Sequence, residues 1–177
     1  MLTAISVYPV ALLAAVLVAW RGEARDLPAG QVAARVLLVL YLAWIVGATL
    51  FPVPLQDDGG RGLSGALNHP NLVPLASIRE TLALPGLWPR LRLLGGNVLV
   101  FVPLGLLLPI VWPRGRRVSR MVLAALLFSL SIEIGQLAVS LLLGFWYRMS
   151  DVDDVLLNVV GVLLGWGLYR LLAARAR

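Results

Sequence analysis

The chain has 177 residues, 60% hydrophobic and only 14% charged, with a mean hydropathy of +0.89, so it lacks the polar surface to cover a water-facing globule. With no cysteine, disulfides, thiolate nucleophiles and cysteine-ligated metal centres are excluded; the single histidine, His69, excludes multi-histidine metal sites but leaves a Ser-His-Asp array open. A net charge of +6 would suggest nucleic acid for a soluble protein; in a chain this apolar it sets bilayer orientation, and no nucleic-acid partner is expected.

About 20 apolar residues cross a bilayer, and the sequence predicts an all-α integral membrane bundle of about five spans. They cover residues 3–20, 31–51, 93–112, 121–143 and 154–172. The first has neither a basic residue before it nor a small-residue cleavage pattern after it, so it is expected to stay as a helix rather than be removed as a signal peptide. A long loop, 52–92, joins the second and third spans. Within it, residues 57–62 form a Gly-rich turn, and Ser77 with Glu80 has capping-box spacing, predicting a short amphipathic helix that stops near Leu84 before Pro85-Gly86.

Arginines are distributed unevenly between the two ends. The end that carries the 21–30 and 113–120 loops and the C-terminal tail, with Arg35 and Arg170 in the adjoining turns of their spans, collects ten arginines against two acids, a balance of +8. The 52–92 and 144–153 loops, with Asp154 at the start of the last span, collect five arginines against six acids, a balance of −1. The positive-inside rule then places the N-terminus outside and the C-terminus in the cytoplasm. Trp20 and Trp112 at one face, with Trp88, Trp146 and Tyr147 at the other, have the positions of interfacial aromatic belts. The basic run 113–120 reads as a topology signal, with anionic lipid as the second reading.

Polar residues inside the spans carry the functional signal, because each must be satisfied in an apolar solvent. Ser129, Glu133, Gln136 and Ser140 stand at offsets 0, 4, 7 and 11, one helical stripe. Asp154, Asn158, Gly161 and Gly165 repeat those offsets in the last span, and the two stripes are expected to face each other. In the third span Asn97 follows Gly95-Gly96, and Pro103 with Gly105 predicts a kink. At 1.5 Å per residue Asn97 and Asn158 lie about 6–8 Å below the helix ends, Gln136 about 10 Å and Glu133 about 15 Å, near mid-membrane. The set reads as an outward-opening polar funnel, in which Glu133 is protonated, bonded to Gln136 or Asn97, or open to water. Arg148 is expected to pair with Asp151 and Asp154 at the rim. Interhelical hydrogen bonding alone is the competing account for Asn97, Gln136 and Asn158.

Three segments in this order resemble a known family. They are the run from Asn97 through Phe101, Pro103 and Gly105 to Pro109; Ser131-Ile-Glu133-Ile-Gly-Gln136; and Arg148-Met-Ser-Asp151-Val-Asp153-Asp154 leading to Asn158 and Gly161. Together with Asn71-Leu-Val-Pro74 they are similar to the VanZ-like family, over residues from about 40 to 170. The resemblance implies a multipass protein of the bacterial cytoplasmic membrane, linked to the cell envelope and, through the family's namesake, to resistance to teicoplanin. It also implies that Asn97, Glu133, Gln136, Arg148, Asp151, Asp153, Asp154 and Asn158 are functional, the residues that spacing places in the funnel. The expected function is binding of a lipid-linked or lipid-like envelope molecule, with membrane lipids or lipid-linked cell-wall intermediates as partners. No cofactor or metal is expected. An intramembrane enzyme using Glu133 or the aspartates, and a small proton-coupled carrier, are the alternatives; no nucleotide-binding loop or nucleophile elbow supports the first.

Overall fold

A computed structural model describes residues 3–55 and 70–175, and is helical throughout its long segments. The glycine-rich turn expected at 57–62, and His69, lie outside the described residues. Among the described residues six α-helices follow in order: α1 Val7–Glu23, α2 Ala29–Leu50, α3 Ala76–Ala83, α4 Leu87–Val111, α5 Val118–Leu143 and α6 Val152–Arg175. Helices α2, α4, α5 and α6 are each long and apolar enough to cross a membrane. The expected first span is α1, whose 17 residues are extended by a 3-10 turn, Ala4–Ser6, towards bilayer thickness.

The core is small because lipid replaces water outside it. Leu38 and Ile45 of α2, Phe101 and Leu104 of α4, Met121, Ala125 and Ile132 of α5 and Val162 of α6 form its buried centre. Leu99, Leu127, Leu141 and Leu164 point away from that core, 70%, 61%, 67% and 57% exposed, as a lipid-facing surface requires. Helix α6 packs on both α4 and α5, α2 closes against α4, and α1 lies along α2.

The α4–α6 contact is set by glycine. A Cβ on Gly161 would come within 2.1 Å of the Val98 carbonyl oxygen, and one on Gly165 within 2.0 Å of the Val102 oxygen. Gly105 reciprocates: its Cβ would lie 2.0 Å from the Val162 oxygen. The small-residue stripe of α6 therefore serves α4, not α5 as the matched stripes suggested. At each of these contacts the backbones meet because one side carries no side chain. Helix α4 runs unbroken through Pro103 and Pro109, and the Tyr41 hydroxyl donates to the Val100 carbonyl at 2.6 Å in the turn before Pro103.

Trp88 and Trp20 are exposed, 73% and 64%, as belt residues should be. Tyr147 is not a belt residue. It is 1% exposed and donates to the Leu50 carbonyl at 3.3 Å, because the 144–151 loop folds back into the bundle.

Candidate functional site: a polar cleft over capped helix ends

The polar residues gather at the end of the bundle where α2 stops and α6 starts. Glu133 stands ten residues before the last residue of α5, yet its Oε2 accepts the Asp151 N–H at 2.8 Å, one residue before α6 begins. The Ser150 hydroxyl donates to the Glu133 carbonyl at 3.2 Å. The 144–151 loop thus dips alongside α5 to the level of Glu133. Since α6 has 24 residues and is about 36 Å long, it crosses the hydrocarbon by itself. Glu133 therefore lies level with the start of α6, and the apolar turns of α5 that carry lipid-facing Leu141 continue beyond it. The first turns of α4 project past this level and wall a recess.

Much of the polar set completes helix termini, whose orphan N–H and C=O groups have no water to turn to. The last carbonyls of α2 receive donors from elsewhere in the chain: Gln136 Nε2 to Thr49 at 3.0 Å, Tyr147 to Leu50, and Arg148 to Phe51 at 2.6 Å with a longer approach of 3.5 Å to Ala48. The expected pairing of Arg148 with Asp151 and Asp154 is replaced by this one, in which a cation meets the negative end of a helix. Asp151 begins α6, its Oδ1 accepting the Asp153 N–H at 2.8 Å.

Helix α3 shows the same logic across a longer distance. It starts at Ala76, and Ser77 and Glu80 do not form the expected capping box. The residue before the helix is Leu75, at φ 67°, with no side-chain cap of its own. Instead Asp153 reaches over from α6, accepting the Leu75 N–H at 2.5 Å and the Ile78 N–H at 3.1 Å. The buried carboxylate, 1% exposed, takes the place of the capping side chain. Asn71 fastens the segment before α3: its Nδ2 donates to Asp151 Oδ1 and to Ser77 Oγ, each at 2.9 Å, and its backbone pairs with the Ser150 and Val152 backbone in a parallel bridge.

Two further bonds join helices directly. Asn158 Nδ2 donates to Ser129 Oγ at 2.8 Å, tying α6 to α5, and Asn97 Nδ2 donates to Asp154 Oδ1, tying α4 to α6. Of the alternatives expected for Glu133, a bond to Gln136 or Asn97 is not found among the described residues; each of the three side chains has a different partner.

Above these bonds lies a cleft of about 460 Å³ between α3, the first turns of α4 and the start of α6. Asn97, Asp151, Asp153 and Asp154 line it, with Ser77, Glu80, Thr81 and Arg92 as further polar groups and Leu93, Leu94, Met149 and Leu157 as apolar ones. Glu133, Gln136, Arg148 and Asn158 are not among its lining residues; they lie in the packed layer beneath and beside it. Sequence reasoning did not single out Glu80, Thr81 or Arg92 as part of this surface. The spacing of Glu80 from Ser77 points to a cap, and no periodicity marks a residue whose neighbours come from three elements. Asn71 was visible in its Asn-x-x-Pro motif, but its partners, about 80 residues away, were not. Among the described residues no three acidic groups are grouped as a cation site.

The VanZ/LLP1 family model matches residues 38–173, from within α2 to near the end of α6. The chain belongs to the VanZ-like family. No curated protein and no solved structure gave a significant match. The matched region holds the whole polar cluster and the glycine contact of α4 with α6, while α1 lies outside it. Together with the family match, four helices long and apolar enough to cross a membrane make this VanZ-like chain a multipass membrane protein.

Proposed function

We propose that the cleft binds the polar end of a lipid-linked or lipid-like envelope molecule, whose hydrocarbon lies against the spans, at the outer face of a bacterial cytoplasmic membrane. The observation that carries this reading is the mixed lining: carboxylates, an amide, two hydroxyls and a guanidinium sit beside leucines. Asp153 is already committed to the N–H groups of α3, and Asp151 to Asn71 and the start of α6. Asp154 and Glu80 then offer acceptors to a ligand, Arg92 and Thr81 donors. That balance suits a head group rich in hydroxyl or ammonium donors better than one that is purely anionic. Asn97 orients Asp154, and Glu133, Gln136, Arg148 and Asn158 hold the floor rigid. The arginine distribution supports an outward-facing cleft. A link to teicoplanin resistance, which the family's namesake suggests, would follow from holding or redistributing a lipid-linked cell-wall intermediate.

The test is direct binding. The protein in detergent is titrated with a fluorescent lipid-linked cell-wall precursor, against a plain phospholipid carrying the same dye. Preferential binding of the precursor, weakened about tenfold or more by Asp154→Ala and by Asn97→Ala in folded protein, is expected. Equal binding of both probes, or variants that bind as the parent does, would refute the reading.

A further inference from the structure

The opposite end of the bundle holds two adjoining cavities that the cleft chemistry does not use. One, about 680 Å³, is lined by Arg114, Arg116, Arg117, Arg120 and Arg170 with Trp166. The other, about 600 Å³, shares Arg116 and Arg170 and continues past Tyr169 to Leu171, Ala173 and Ala174. No acidic residue lines either. A topology signal needs only positive charge in a loop. Here the charges are also positioned. The Arg116 guanidinium lies over the Tyr169 ring at 5.8 Å, with its Nε donating to the Pro109 carbonyl at 3.2 Å. The Arg170 guanidinium lies over Trp166 at 5.3 Å, and the Trp166 indole N–H donates to the Arg116 carbonyl at 3.0 Å, locking α6 to the turn before α5. Arg120 is tied to the Arg114 carbonyl.

Five guanidiniums around one space repel each other unless an anion stands between them, and their planar forks match phosphate oxygens. We infer that this end of the bundle binds a phospholipid with two phosphates, of the cardiolipin class. One phosphate occupies each cavity, with Arg116 and Arg170 between them. Trp166 and Tyr169 lie at the glycerol level, and the acyl chains run from there into the bilayer, towards the earlier turns of α6. The inference is independent of the polar cleft, because the two sites share no residue.

Native mass spectrometry of the full-length protein, titrated with cardiolipin, phosphatidylglycerol, phosphatidylethanolamine or inorganic phosphate, decides the matter. Cardiolipin should bind about tenfold more tightly than phosphatidylglycerol and resist displacement by inorganic phosphate. Arg116→Gln/Arg170→Gln should reduce cardiolipin binding about tenfold. So should Arg114→Gln/Arg117→Gln, which leaves the ring contacts intact and serves if the first pair does not fold. Arg79→Gln/Arg90→Gln removes the same charge from the other end and should leave binding unchanged. Three outcomes would overturn the proposal: equal retention of phosphatidylglycerol, full competition by inorganic phosphate, or equal losses in the cavity and control pairs.

Discussion

Glu133 is the residue whose meaning changes most between sequence and structure. A lone carboxylate in a span invites a catalytic or proton-carrying role, yet its Oε2 accepts the buried N–H that starts α6. Glutamine retains a carbonyl oxygen for that bond, whereas alanine leaves the Asp151 N–H without a partner, a cost of about 1–3 kcal/mol. Glu133→Gln should therefore keep both fold and binding, and Glu133→Ala should unfold at lower temperature in detergent. If glutamine proved as damaging to function as alanine in folded protein, proton transfer through Glu133 would displace the binding reading. Arg148 and Asp153 make the same point without titration. Each spends its charge on a helix end at least 75 residues distant along the chain.

Helices assemble here by backbone approach more than by side-chain interdigitation. Alanine at Gly161 would bring its methyl against the Val98 carbonyl, where only a main-chain shift makes room. At Gly167, one and a half turns along, nothing lies within 4 Å of the same atom. Alanine is favoured over glycine in a helix by about 1 kcal/mol, so propensity alone predicts that both changes stabilise. The packing reverses the sign at one of them. Gly161→Ala should destabilise by about 1–3 kcal/mol, whereas Gly167→Ala should be neutral or stabilising, as read by thermal unfolding of the solubilised protein. Equal stability of the two variants would mean that α4 and α6 are not in contact at Gly161. Helix α3 shows dependence of another kind. Its eight residues bury none of their side chains, and its first turn is closed by Asp153 from α6.

For the whole molecule the central question is which way it faces. The +8 and −1 ends predict an external cleft and an internal arginine cavity. Because the chain has no native cysteine, single cysteines report cleanly. In intact cells an impermeant thiol reagent should label Arg79→Cys, exposed on α3, and spare Ser119→Cys, exposed at the start of α5. The opposite labelling pattern would invert the topology and, with it, the leaflet assigned to each site.

Membrane class, helix count and the polar positions were legible in the sequence because each depends on local quantities: the length of an apolar run, the side of a helix on which a residue falls, the sign of a loop's charge. The motif resemblance likewise named the family without any structural knowledge. What Gly161 and Gly165 touch was decided only by the tertiary structure, since a small-residue stripe states that something comes close and not which helix it is. The same holds for Arg148, Gln136 and Asp153, read as funnel lining and found completing the ends of α2 and α3. An orphan carbonyl or N–H in lipid must find a donor or acceptor, but the folded chain brings that partner from 75 to 100 residues away, a separation that no periodicity in the sequence records.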